Sequence, residues 1–463
     1  MKQIILSPLI LTLLGLAAIV YVAIGFQLLN NNSKLSLIFE RFFIHVWLLG
    51  INNVVVGPLP FNKLNPNALY LHNTTLPAIV MQFGVYGVCL IFLISRLNQN
   101  RYTIISIYYH LLKYIPSFCL YLFIISISFA WSGTPAYTLK SAIVLVTTTV
   151  FFIYVGQRYS MKSLFDIILL HQTLLLILSF VYQSEAGGGW SGVLSHKNPF
   201  SFAMALSTIL LYIQSVKMPQ YKFLFWFLSA LGAFCVFIKA NSGMGKVVLV
   251  TLFALLGFLR FIKRLPPRVA FAGMGVFLAL GISLVILITN NAEYIIVEKL
   301  GKDMTLTGRT LFWPIIVHTI NKQPFVGYGY DGFWQPWRGE NNPASPIVLP
   351  NGFVPEHSHN GYLDIGLESG WLGLTLFIVT LMINVYYGVL HLIQSKDPSA
   401  AMPLVIITWI VLINVTENGI NDLSVSWVFL VLMTTRLTME MVEKNSKKYS
   451  EDQDYLSWGK RGS

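Results

Sequence analysis

The chain has 463 residues, of which 55% are hydrophobic, 14% aromatic and 11% charged, against about 25% charged in an ordinary soluble domain. Its mean hydropathy is +0.65. No soluble interior is large enough to hide that much apolar surface, and a disordered chain is excluded on the same ground. The net charge of +12 would suggest nucleic acid in a soluble protein, but here the placement of the charges points to a membrane instead.

In chain order, apolar runs of about 20 residues, enough to cross a bilayer, are predicted near 4–29, 77–97, 115–131, 138–156, 163–183 and 198–216. They continue near 222–239, 245–262, 269–289, 365–393, 401–416 and 424–440, twelve spans in all. The first run is too long for a signal peptide and lacks a small-residue cleavage site, so it reads as a retained span. The segment 36–56 carries Glu40, Arg41, His45, Asn52 and Asn53. Charges at mid-membrane are costly, so it reads as an interfacial or re-entrant helix. Cys89, Cys119 and Cys235 all fall in apolar spans, as small buried hydrophobes and not a disulfide frame. The expected fold is an all-α polytopic membrane protein with one long extracytoplasmic loop.

Twelve spans put Arg96, Arg101 and Lys113, then Arg158 and Lys162, then Lys217 and Lys222, on one side. Lys263, Arg264, Arg268, Lys396 and the Lys-rich tail after Met441 fall there too. The opposite loops are poor in Lys and Arg, and the largest, 290–360, has five basic and six acidic residues. By the positive-inside rule both termini lie in the cytoplasm and the long loop outside. The chain then divides into N-terminal spans (1–289), the loop (290–360), C-terminal spans (361–440) and a cytoplasmic tail (441–463). Rich in Trp, Tyr, Gly and Pro, the loop does not have a disordered composition.

Chemistry concentrates where that loop re-enters the membrane, in Glu356-His357-Ser358-His359-Asn360-Gly361-Tyr362-Leu363-Asp364 and on to Glu368 and Gly370. At helical spacing Asn360, Asp364 and Glu368 form one polar stripe with His359 at its mouth. Capping accounts for Asn360 and Asp364 but poorly for His359 and Glu368. Ionisable groups inside a membrane mark working sites by default. His-x-His beside carboxylates also invites a metal, but the spacing fits neither a zinc finger nor a helix-borne metalloprotease motif. No metal or cofactor is expected.

A second cluster is Thr307-Gly308-Arg309-Thr310-Leu311-Phe312-Trp313, followed by Pro324-Phe325-Val326-Gly327-Tyr328-Gly329-Tyr330. Arg309 suits a forked contact to phosphate or carboxylate, and equally a surface pair with Asp303 or Glu298. Arg338 is a further loop cation. Three more polar groups are predicted at the same membrane face: Ser195-His196-Lys197-Asn198, the turn from Lys239 to Lys246, and Asn414 to Asp422. Each alone reads as a turn with helix caps. Together they would form an outward cavity holding bases, acids and fixed cations.

His359-Asn360, nine residues, Gly370, two residues and Gly373 resembles the signature of the O-antigen ligase and Wzy-type polymerase superfamily of bacterial envelope glycan enzymes. The resemblance extends over about 180–430. His196-Lys197-Asn198 and Asn414-Val415-Thr416-Glu417 look most like its exopolysaccharide-polymerase branch. It implies a metal-independent, multi-span glycosyltransferase of GT-C-like architecture in the bacterial inner membrane. The implied donor is a glycan on undecaprenyl diphosphate, transferred with inversion to an acceptor glycan or lipid A core. His359 would deprotonate the acceptor hydroxyl and Arg309 would neutralise the departing diphosphate. Lys246, His196, Lys197, Asn360, Arg338, Glu368 and Glu417 are the expected substrate-binding residues. Lys246 stands where many relatives carry Arg. A chain-length regulator is a further expected partner, and nucleic acid is not one. The expectation is a polymerase; a ligase is the nearest alternative, and a transporter or flippase the alternative of another class.

Overall fold

A computed structural model describes residues 34–52, 104–294, 309–347, 355, 357–420 and 423–459. The predicted spans near 4–29 and 77–97 lie outside these residues. Contacts divide the chain into two units, Met1–Ile107 and Tyr108–Ser463. In the first, helix α1 (Lys34–Ile51) covers the segment read as interfacial. Its Glu40 and His45 are buried, and it is not among the helices long and apolar enough to span.

The second unit is helical throughout its described residues, apart from loops and one isolated bridge between Glu185 and Trp190. Helices α2 (Ile104–Tyr114) and α3 (Pro116–Ile127) meet at a bend of 114°. Pro116 causes the break: it has no N–H to donate and pushes Ile115 out of helical geometry, to φ −138°. Then follow α4 (Pro135–Arg158), α5 (Met161–Val181), α6 (Lys197–Lys217), α7 (Lys222–Phe234), α8 (Gly243–Ile262) and α9 (Pro267–Tyr294). A π-turn, Cys235–Lys239, extends α7. After the long loop come α10 (Arg309–Ile320), α11 (Gly361–Gln394), α12 (Met402–Ile413) and α13 (Val425–Gly459). Eight described helices are long and apolar enough to cross a membrane, or nine with the bent pair. The predicted span 401–416 is a shorter helix, and the predicted tail after Met441 continues α13.

Burial grades across this unit. Helices α6 and α13 are its most enclosed spans, while α7 and α9 are mostly uncovered. The uncovered side chains are apolar, among them Phe223, Phe227, Val276, Leu280 and Leu287. In water that surface would be a liability, whereas lipid tails are its natural solvent. The chain is an all-α polytopic membrane protein.

The ends of the helices differ in charge. At one end Lys217 meets Asp166 at 3.2 Å. Asp397 caps the turn Pro398–Ala401 there by accepting from the Ser399 backbone and hydroxyl. Burial alone would raise its carboxyl, but those hydrogen bonds and the nearby Lys217 and Lys162 hold it below the usual range. The alternation of Lys and Arg read from the sequence thus brings residues of three connections together. The other end carries the connections after α5, α7, α9 and α12.

On that other end, the described part of the long loop is a folded body. Ile316, Ile320, Phe333, Ala344, Ile347 and Leu367 form its buried centre, with Trp313, Tyr328, Trp334 and Leu363 packed around. It is locked to α11 where Gly370, at φ +68°, breaks the helix. In an unbroken helix the Trp371 N–H would donate to the Leu367 carbonyl. Here it donates to the Pro324 carbonyl (2.7 Å), and Leu367 accepts from Tyr328 N–H (2.8 Å). The Gly329 N–H takes the next carbonyl, that of Glu368, at 3.0 Å. Gly327 and Gly329 both have positive φ, and a Cβ on Gly327 would strike the Leu367 carbonyl. The Gly-x-Gly turn and the first glycine of the His-Asn…Gly…Gly pattern are therefore two halves of one joint.

Candidate active site

His359 sits in the short turn before α11 with φ +51°, a left-handed conformation uncommon outside glycine. The residue before it explains how that conformation is held. Buried Ser358 donates its N–H to Asp364 Oδ1 (3.2 Å), and its carbonyl accepts from the Trp313 indole (3.0 Å). Its hydroxyl donates to the Asn360 carbonyl (2.6 Å) and accepts from the Asn360 N–H (3.0 Å). Trp334 adds a second indole donor on Asp364 Oδ1 at 2.8 Å. Downstream, Gly361 N–H donates to the carbonyls of Asn414 (2.9 Å) and Glu417 (3.1 Å). A Cβ on Gly361 would collide with the Asn414 side chain. The imidazole is presented by a backbone clamped on both sides.

Facing it are Glu417, from the last inter-helix turn, and His357 of its own turn, and two further connections stand behind Glu417. Glu417 Oε2 lies 3.4 Å from His359 Nδ1 and 3.7 Å from His357 Nε2. The two imidazole rings are 4.0 Å apart, centre to centre. Glu417 Oε1 accepts from Asn198 Nδ2 at 2.7 Å, and Asn198 Oδ1 accepts from the Ser242 hydroxyl at 3.1 Å. Ser242 in turn caps α8, accepting from Gly245 N–H. A polar relay thus runs from the α8 cap through α6 and the last inter-helix turn to His359. A carboxylate on Nδ1 favours the tautomer protonated there, which puts the basic lone pair of the ring on Nε2.

The other expected residues fall into distinct places. Asn360 is the N-cap of α11, its Oδ1 accepting from Tyr362 and Leu363 N–H. Asp364 clamps Ser358 and Trp334, and its Oδ2 is buried without a hydrogen bond. Glu368, also buried, lies a turn further along α11, at the loop joint. The polar stripe is real in register but divided in role. His196 caps α6 and its ring covers Gly187, whose φ is +71°. Lys197 and Lys246, both half-buried, occupy the first turns of α6 and α8. Arg338 donates to Gln335 Oε1 at 3.1 Å and lies over Gly133, on the α3–α4 side of the loop body. Arg309 opens α10 one turn before Trp313, whose indole holds Ser358.

Residues 227–378 match the family described as O-Antigen ligase. That span takes in Lys246, Arg309, His359, Gly370 and Gly373, and stops short of Asn198 and Glu417 on either side. The chain is also similar to the exopolysaccharide production protein ExoQ of Rhizobium meliloti (strain 1021), with 23% identity over 285 residues. The similarity covers 58% of this chain and 64% of that protein, somewhat less than two thirds of the relative's length. No solved structure matches. Both findings support the superfamily that the His-Asn…Gly…Gly pattern resembles.

Proposed function

We propose that the chain is a polysaccharide polymerase, joining glycan repeat units carried on undecaprenyl diphosphate at the outer face of the inner membrane. The observation that carries this reading is the Glu417–His359 pair on a clamped backbone, a base with its orienting carboxylate. His359 Nε2 takes the proton of the acceptor hydroxyl as that oxygen attacks the donor's anomeric carbon. The bond from that carbon to the diphosphate breaks on the opposite face, and its electron pair leaves with the diphosphate. Inversion follows from one in-line displacement. Glu417 faces the imidazolium as it forms and offsets its charge. Arg309 balances the charge growing on the leaving group, the task for which a fixed guanidinium is suited.

A chain reconstituted in liposomes with lipid-linked repeat unit as its sole glycan is expected to yield a ladder of longer, still lipid-linked products. Extension that requires added lipid A core or protein acceptor makes it a ligase. Movement of the intact lipid-linked unit across the bilayer without glycan transfer makes it a transporter.

The reading also requires the site to face outward and α13 to end in the cytoplasm. The basic end around Lys162, Lys217 and Asp397 supports this orientation. With the three native cysteines replaced, Glu340→Cys is expected to react with an impermeant thiol reagent on intact spheroplasts. Ser446→Cys is expected to react only after lysis. Both positions are exposed, so labelling of both before lysis would reject the orientation.

A further inference from the structure

We propose that His357, His359 and Glu417 form a site for a transition-metal ion of the zinc class, and that the bound ion silences His359 as a base. One ring nitrogen of His357, one of His359 and a Glu417 carboxylate oxygen all lie within 4.8 Å of one another, and the nitrogens that approach Glu417 are Nε2 of His357 and Nδ1 of His359. Bonds of about 2.0–2.1 Å in a tetrahedral shell put neighbouring ligand atoms roughly 3.3 Å apart. The Glu417 oxygen is already 3.4 Å and 3.7 Å from the two nitrogens, so little movement would seat an ion between them.

The donor set selects the metal. Two imidazoles and one carboxylate suit zinc and its neighbours, whereas magnesium and calcium prefer oxygen shells. Three protein ligands leave a fourth position for water. The outer shell is also in place, because Asn198 holds the second Glu417 oxygen and the Ser358 clamp fixes the His359 backbone. Side-chain exposures of 31%, 22% and 17% leave the three groups reachable from solvent. The third ligand lies 58 residues beyond His359, which is why His-x-His spacing gave no sign of it.

Occupancy has a chemical consequence. A neutral imidazole carries one ring proton. A carboxylate on Nδ1 favours the proton at Nδ1, and in the proposed reaction Nε2 keeps the lone pair that accepts from the acceptor hydroxyl. An ion on Nδ1 uses that lone pair, leaving the ring proton on Nε2, where no base remains. The site stands on geometry alone, while the silencing rests on the proposed role of His359.

The test titrates the full chain, stripped with EDTA and free of any histidine tag, with ZnCl2 in detergent, using MgCl2 as the hard-cation control. One zinc equivalent per chain is expected, lost in His357→Gln and in Glu417→Gln. Asn198→Ala is expected to weaken it about 10–100-fold. Equal zinc stoichiometry and affinity in the wild type and both ligand variants, or magnesium bound as tightly as zinc, overturns the site. In glycan synthesis, zinc is expected to suppress the wild-type rate reversibly, with EDTA restoring it. Against its own metal-free rate, His357→Gln is expected to need about tenfold more zinc or greater. Zinc that binds through these residues yet leaves the rate unchanged keeps the site, overturns the silencing and counts against His359 as the base.

Discussion

Replacing His359 with asparagine is expected to lower glycan transfer by about 10²–10⁴-fold while the lipid-linked donor still binds, the usual scale for removal of a general base. Asparagine is the informative choice because His359 sits at φ +51°, and Asn tolerates that region better than most residues. His359→Ala removes the base but adds backbone strain, so its loss mixes chemistry with folding. His357→Asn removes the neighbouring ring and leaves the Glu417–His359 contact, and it is expected to retain the larger share of the rate. Glu417→Gln keeps the shape and the partner Asn198 but discards the charge opposite the imidazolium. Its rate is expected to fall, and the acidic limb of its pH–rate profile to move to lower pH, because protonation of the ring loses its anionic support. A merely structural Glu417 would leave that limb in place. Equal losses in His359→Asn and His357→Asn, with donor binding intact, would remove His359 as the base.

Most of the described helices were legible in the sequence because their apolar runs are long and Lys and Arg cluster at alternate connections. Two features escaped that reading for different physical reasons. Hydropathy cannot see the break in α11, since Gly370 falls inside one span predicted over 365–393; only the docking of Pro324 to Gly329 on the released carbonyls shows it. Hydropathy is equally silent on the continuation of α13 into the tail after Met441, because charged residues end a span without ending a helix.

The residues of the candidate site stand in recognisable motifs, but their arrangement is not legible there. His359, Asn198 and Glu417 each belong to short motifs, but nothing local says that Asn198 Nδ2 and Glu417 Oε1 lie 2.7 Å apart across 219 residues. The organisers were the hardest to see. Trp313 and Trp334 look like loop aromatics suited to stacking on sugars or to packing, yet both donate indole N–H groups that hold Ser358 and Asp364. Asp364 fits a first-turn acid by position, and its burial under Trp334 shows only in three dimensions.

Arg309→Lys is expected to lose about 10²–10³ in rate despite keeping its charge, the scale measured when one preorganised donor is removed from a developing anion. The first residue of α10 is an unfavourable place for a cation, because a helix N-terminus carries partial positive charge worth roughly 0.3–1 kcal/mol against it. On that effect alone, Arg309→Ala is expected to leave thermal unfolding unchanged or slightly raised. A helix N-terminus favours an anion, so this position in the chain suits a residue proposed to meet a diphosphate. The helix is tied to the reacting end by Trp313, one turn on, whose indole holds the Ser358 carbonyl next to His359. A diphosphate bound there needs two parallel donors, which the planar fork of arginine supplies and a lysine ammonium does not. The measurement is single-turnover transfer from purified lipid-linked donor by wild type, Arg309→Lys and Arg309→Ala. A normal rate in Arg309→Lys, or a drop in unfolding temperature that matches the lost activity, would show Arg309 to be a structural residue.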